Sequence, residues 1–116
     1  MPFDLDSPPP EMIEKAARAI RQGKVVLYPT DTLYGLGCDP SNEEALRRLF
    51  AIKGRSETKG VLLLVQDSSY AEAVSDHIPD LFYKLVKTFW PGPVTLLLEG
   101  NSSCSRLILG KDGKVG

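Results

Sequence analysis

Residues 24–37 read Lys24-Val25-Val26-Leu27-Tyr28-Pro29-Thr30-Asp31-Thr32-Leu33-Tyr34-Gly35-Leu36-Gly37, and their first half decides the fold class. Val25, Val26, Leu27 and Tyr28 favour a pleated backbone and Pro29 ends the run, which predicts a short buried strand over 24–29. Upstream, Ile13, Ala16, Ala17 and Ile20 recur at the spacing of one helix face, and Gly23 supplies a stop. Downstream, Ser41 and Glu44 form a capping-box pattern that opens a second helix. Ala45, Leu46, Leu49 and Phe50 give it a core face and Gly54 closes it. The unbroken apolar run Val61-Leu62-Leu63-Leu64-Val65 predicts a strand over Gly60–Gln66 covered on both faces. Helices are expected over Ser69–Asp76 and Pro79–Phe89, the latter carrying Leu81, Phe82, Leu85, Val86 and Phe89. The turn residues Pro91-Gly92-Pro93 then introduce a strand over Pro93–Glu99. Leu107–Leu109 forms a weaker strand pattern, Gly110-Lys111-Asp112-Gly113 resembles a hairpin turn, and Lys114-Val115-Gly116 reads as the opening of another strand. Strands alternating with helices predict an α/β fold, a twisted mixed sheet with flanking helices. A strand needs neighbours and a cover, so the domain is expected to be incomplete at Gly116.

Composition narrows the classes. A chain of 116 residues with 42% hydrophobic content has room for one domain, read here as an arm over 1–10 ending in Pro8-Pro9-Pro10 and a domain over 11–116. Fourteen Lys and Arg against fifteen Asp and Glu leave a net charge of −1, which excludes a strongly basic nucleic-acid binder while allowing a local basic patch. No apolar run approaches the roughly 18 residues of a membrane span. The acidic start Met1-Pro2-Phe3-Asp4 is unlike a secretion signal, so a cytoplasmic protein with no membrane partner is expected. Cys38 and Cys104 lack metal-ligand spacing; they read as two unpaired thiols, and no metal site is expected.

Two segments could carry chemistry. Thr30, Asp31 and Thr32 follow directly on a strand, where open α/β sheets place ligands. An extended backbone there aims both threonine hydroxyls to one side, and Gly35 and Gly37 let the main chain come close to a ligand or turn sharply. The residues themselves leave two readings open: a ligand-binding corner, or a polar turn that hydrogen-bonds its own backbone. The second segment is Lys53-Gly54-Arg55, with Ser56 and Lys59 behind it. Cations suit a helix C-terminus through its dipole, yet Gly54 also releases two of them into one loop. There Lys offers a compact charge for phosphate and Arg a two-pronged grip on carboxylate or phosphate. Other machinery is missing: no GxxxxGK[ST] loop and no GxSxG elbow occur. The Gly110, Gly113 and Gly116 run is turn punctuation, the single His77 reads as a surface residue, and Trp90 reads as a plug at a helix–strand corner.

Three segments together resemble one family: Lys24–Gly37 with its PTDTxYGLG string, Ile52-Lys53-Gly54-Arg55, and Phe89-Trp90-Pro91-Gly92-Pro93-Val94-Thr95-Leu96-Leu97-Leu98. Their order and spacing are similar to those of the YrdC-like threonylcarbamoyl-adenylate synthases, from about Glu11 to the last residue. The resemblance implies a twisted sheet with an open, positively lined cavity on one face. It implies ligation of L-threonine, bicarbonate and ATP to threonylcarbamoyl-AMP and pyrophosphate, Mg²⁺ accompanying ATP and no bound organic cofactor. The product serves a downstream tRNA threonylcarbamoyl-transfer complex, and members bind tRNA or double-stranded RNA. By position, Thr32 matches a threonine-substrate contact, with Tyr28, Thr30 and Tyr34 lining or supporting the pocket and Thr30 placed towards the nucleotide. Lys53 and Arg55 match the KxR pair that holds phosphates and the substrate carboxylate and supplies the catalytic cations.

Two departures stand out. Ser56 and Gly60 occupy places where the family usually has prolines, which predicts a looser loop. The family's Ser-x-Asn segment, part of the nucleotide site, falls beyond the point equivalent to Gly116. Two further readings stay open: a noncatalytic RNA-binding module, and the carbamoyl-adenylate chemistry of hydrogenase-maturation carbamoyltransferases, long chains with zinc-finger-like cysteines.

Overall fold

Pro10 opens the first helix, α1 (Pro10–Arg21), at the one position where a missing N–H costs nothing and a fixed φ is an advantage. The helix therefore starts at the last residue of the expected arm. Its stop is the expected one. Gly23, at φ 78°, donates its N–H to Ile20 O (3.0 Å) while Lys24 N–H reaches Ala19 O (3.0 Å), the paired closure of a Schellman motif. The computed structural model describes residues 6–54, 56 and 58–116, and the chain divides into two compact units, 1–54 and 55–116.

In residues 1–54, strand β1 (Val26–Pro29) pairs antiparallel with β2 (Tyr34–Gly37), in the register Val26↔Gly37, Leu27↔Leu36, Tyr28↔Gly35 and Pro29↔Tyr34. The expected strand is thus two residues shorter and only half-buried: Val26 and Tyr28 are partly covered, whereas Leu27 and Pro29 are exposed. A two-stranded ribbon covered on one face accounts for the alternation. Helix α2 (Glu43–Lys53) buries Ala45, Leu46, Leu49 and Phe50, the face expected from the sequence. Its cap is shifted by one residue. Asn42, in extended conformation, accepts the Ala45 N–H on its side-chain oxygen (3.1 Å), whereas Ser41 donates its hydroxyl to Asp39 Oδ1 (2.6 Å). Asp39 outcompetes the helix for Ser41, and the carboxamide takes the vacated role. The same helix ties itself to the end of α1, where Arg48 Nη1 donates to Gly23 O at 3.2 Å.

In residues 55–116 the described strands form another two-stranded antiparallel ladder, β3 (Leu98–Glu99) with β4 (Lys114–Val115), in the register Leu98↔Val115 and Glu99↔Lys114. The architecture is α/β, with the strands of the described residues in two small antiparallel ladders rather than one mixed sheet. Several expected strands contract. Only the last two residues of Pro93–Glu99 enter a ladder, and Leu107 and Ile108 are buried in a turn region. Gly60–Gln66 forms no strand: Lys59 bridges Gly110, Val61 N–H donates to Ile108 O (3.2 Å) and Leu63 N–H to Gly116 O (2.8 Å). Its bonds are scattered over separate segments, so no continuous ladder builds, and Leu62 and Leu64 stay 64% and 80% exposed.

The Gly110–Gly113 turn closes as expected, with Gly113 N–H on Gly110 O at 3.0 Å. A 3-10 turn (Ser68–Tyr70), capped by Asp67, leads into the short α3 (Ala71–Val74), and α4 (Asp80–Phe89) buries Phe82. The two Ser69 hydrogen bonds on Asp67 hold its carboxyl below the usual range. Trp90 does plug the helix–strand corner: its ring meets Phe82 edge-on at 5.8 Å and its Nε1 donates to Val94 O at 2.9 Å.

Among the described residues of the segment that follows α2, several hydrogen bonds form. Ser56 Oγ lies 2.8 Å from Thr58 Oγ1 and accepts the Thr58 N–H, and Lys59 N–H donates to Ser56 O at 3.2 Å. Gly60 is buried at φ 68°, a left-handed value that proline, locked near −65°, cannot adopt. A Cβ there would sit 2.8 Å from Gly110 N and 2.9 Å from Leu109 C, both backbone.

Two stability outcomes follow. Gly60→Ala should cost on the order of 3 kcal/mol in urea unfolding, from left-handed strain plus backbone overlap. Gly113→Ala should cost only about 1–2 kcal/mol, because its φ is 74° with open space around it. Equal losses would remove the overlap from the argument. Asn42→Ala should cost about 1 kcal/mol, and Ser41→Ala much less. The reverse order would return the cap to Ser41.

Candidate functional site

The threonine corner is the tip of the β1–β2 hairpin. Thr30 N–H donates to Leu33 O at 3.2 Å, which closes residues 30–33 into a turn rather than the extended stretch that alternation required. The Thr30 hydroxyl also donates to Leu33 O, and it accepts the N–H groups of Thr32 (3.3 Å) and Leu33 (3.2 Å). A hydroxyl has one proton and two lone pairs, so Thr30 is fully committed to the loop. This corrects the expectation that both threonines face one side. Thr32 and Asp31 are exposed, and their side chains make no hydrogen bond among the described residues.

Gly35 and Gly37 make room for a side chain of the neighbouring strand. A Cβ on Gly37 would lie 2.8 Å from Tyr28 Cε1, and one on Gly35 would lie 3.2 Å from Tyr28 Cζ and 3.5 Å from Thr30 Cγ2. The Tyr28 ring therefore lies across the glycine face of β2, packing on a strand that has no side chains of its own there. Tyr34, opposite Pro29, is 52% exposed at the start of β2. The structure thus brings Tyr28, Thr30, Thr32, Gly35 and Gly37 together.

The second segment is described in part. Lys53 ends α2, exposed, and its ammonium makes no ion pair among the described residues. Gly54 follows at φ 61° in the left-handed region, the helix stop expected from the sequence. Arg55 lies outside the described residues. Cys38, which follows β2, has its thiol pushed above the usual range by burial and by the charge of Asp39, so it is a poor nucleophile at neutral pH. Cys38 and Cys104 are free thiols.

Within residues 55–116, an open hollow of about 450 Å³ is lined by Leu107 and Leu109 together with Thr58, Arg106 and Lys111. Nothing in the spacing of Arg106 and Lys111 marks them as lining one hollow. No group of three or more His, Cys, Asp or Glu side chains with metal-holding geometry occurs among the described residues. None of their helices is long and apolar enough to cross a membrane.

Comparison with known proteins agrees on one family. The Sua5/YciO/YrdC family model, described as "Telomere recombination", matches residues 18–116. A threonylcarbamoyl-AMP synthase of Pseudomonas fluorescens is 44% identical over 86 residues, covering 74% of this chain and 46% of that protein. Among solved structures, Sua5 of Pyrococcus abyssi complexed with L-threonine is similar at a TM-score of 0.83 and 38% identity, over 89% of this chain and 30% of that one. YciO of Escherichia coli is similar at a TM-score of 0.79 and 29% identity, over 95% of this chain and 53% of that one. The chain spans about half the length of the curated relatives it matches.

The hairpin geometry gives a direct check. Gly37→Ala should push the Tyr28 ring off β2, seen as shifted Tyr28 ring signals by NMR, at a cost of about 1–2 kcal/mol. Unmoved Tyr28 resonances would show that the ring does not rest on the strand.

Proposed function

The chain belongs to the Sua5/YciO/YrdC family, and from that premise we propose that it takes part in L-threonylcarbamoyladenylate synthesis. The substrates in this reading are L-threonine, bicarbonate and MgATP, and the products are threonylcarbamoyl-AMP and pyrophosphate. The observation that carries it is the intact PTDTxYGLG hairpin, with the Thr32 side chain exposed at its tip, in a chain similar to a Sua5 complexed with L-threonine.

The chemistry asks little covalent work of the protein. The threonine amine and bicarbonate condense to a carbamate with loss of water. A carbamate oxygen then attacks the α-phosphorus of ATP, and pyrophosphate leaves with the bridging electron pair. Negative charge gathers on the oxygens around phosphorus, so fixed cations and correct placement supply the rate gain. Lys53 is a compact charge for the phosphates, and Arg55 a two-pronged grip for the threonine carboxylate or a phosphate. Thr32 offers its hydroxyl to threonine, and Tyr28 forms a wall held in place by Gly35 and Gly37. The described residues include no three-carboxylate cluster, so Mg²⁺ belongs in this reading with the phosphates of its nucleotide.

The product would pass to a transfer complex acting on tRNA, with the work done in the cytoplasm. RNA contact draws on local cations, since the net charge of −1 provides no general attraction. The relatives' names favour the synthase over a purely RNA-binding module and over hydrogenase-maturation chemistry.

Two measurements test the reading. Pyrophosphate should be released from ATP and bicarbonate only when threonine is present. Release with carbamoyl phosphate and no amino acid would transfer the case to the hydrogenase-maturation chemistry, and duplex-RNA binding alone to the RNA module. By calorimetry, Arg55→Ala should weaken threonine binding about tenfold to a hundredfold, the worth of a charge-assisted hydrogen bond, with almost no change in Tm. Unchanged affinity would remove Arg55 from the site.

A further inference from the structure

The sequence pattern treats Thr30 and Thr32 as two equivalent hydroxyls, but the hairpin makes them chemically unlike. We propose that Thr30 is a positioning residue: its hydroxyl touches no ligand and instead holds the 30–33 turn so that the Thr32 side chain is presented outward. The inference rests on the threonine-binding reading of Thr32 given above, and it moves Thr30 out of the nucleotide site.

Three observations carry it. The first is saturation. Thr30 Oγ1 donates to Leu33 O and accepts from Thr32 N (3.3 Å) and Leu33 N (3.2 Å), which leaves neither proton nor lone pair for a phosphate or a ribose. The second is direction: one of those bonds is to the backbone N–H of Thr32 itself, so the hydroxyl fixes the peptide plane from which the Thr32 side chain projects. The third is packing. The Thr30 methyl faces the bare Cα of Gly35, where an added Cβ would lie 3.5 Å from Cγ2, and Tyr28 covers the same glycine on its ring side. The hydroxyl thus has its orientation set by the strand below it, so it can act as a brace for the turn. Serine retains the hydroxyl but lacks the methyl; valine retains the shape but lacks the hydroxyl.

The test uses the whole chain and two readouts. Amide–water exchange by NMR reports the brace without any ligand. Thr30→Val should speed exchange at Thr32 and Leu33 about tenfold, the worth of one lost hydrogen bond, whereas Thr30→Ser should stay within about threefold of the parent. Calorimetry with L-threonine reports the consequence: Thr30→Val should weaken binding about tenfold and Thr30→Ser should restore most of it. Unchanged exchange in Thr30→Val overturns the proposal, because the hydroxyl would then hold nothing. Faster exchange with undiminished threonine affinity overturns it too, since Thr32 would need no presenting. A parent chain that binds no threonine would sink the functional reading instead, and the exchange readout alone would then decide whether Thr30 braces the turn. Should Thr30→Val fail to fold, Thr30→Ala takes its place, with the same two outcomes deciding.

Discussion

The hairpin stands on the absence of two β-carbons. Tyr28 occupies the volume that side chains at positions 35 and 37 would fill, and a Cβ on Gly37 would overlap its ring at 2.8 Å. Glycine in a strand ordinarily weakens it, since the backbone is freer in the unfolded chain and offers no side chain to pack. Here the deficit is offset across the ladder. The aromatic ring of β1 covers the main chain of β2, in the register that pairs Tyr28 with Gly35. The Tyr-Gly-Leu-Gly segment and the tyrosine six residues before Tyr34 are therefore one packing unit, and the turn between them inherits its position from that unit.

From this constraint comes a division of labour within four residues. Thr30 bonds inward and Thr32 is left outward, although both are exposed β-branched hydroxyl residues two positions apart. A polar turn and a ligand-binding corner were posed as alternatives for these residues; in the structure the turn is built by one threonine and a free hydroxyl is offered by the other. The polar-turn reading therefore describes Thr30 and not Thr32. Thr30 also satisfies the backbone N–H groups of Thr32 and Leu33, so neither amide needs a water partner.

What the sequence disclosed follows the range of the forces involved. Helix ends were legible because they are local: Gly23 and Gly54 both take left-handed φ at the expected stops, and the apolar face of α2 buried as its spacing required. The cap of α2 was missed by one residue because Ser41 and Asn42 are both good caps, and the choice turned on Asp39 claiming Ser41. Strands fared worse. β2 hid behind two glycines that carry no β-propensity, and only its partner makes it a strand. The Val61–Val65 run carries strong propensity yet finds its hydrogen bonds on scattered residues, so it remains without a ladder. Spacing marks Thr30, Thr32, Tyr28 and Lys53 as candidates, but the inward commitment of Thr30 depends on hydrogen-bond directions that no spacing rule encodes.

The two missing prolines show the same dependence on context. Proline at the positions of Ser56 and Gly60 would restrain this loop by limiting the unfolded chain. This chain restrains it instead through contacts made only in the folded state. Ser56 gathers the Thr58 N–H and hydroxyl, and Gly60 turns left-handed against the backbone of Leu109 and Gly110. The two solutions are mutually exclusive at position 60, because φ of 68° lies on the far side of the range open to proline. Restoring only that proline would break the Gly60 contact without recreating the surroundings in which a proline is tolerated. Ser56, Thr58, Lys59 and Gly60 are thus tied by contacts of the folded chain, and a proline at position 60 would give up the Gly60 part of them.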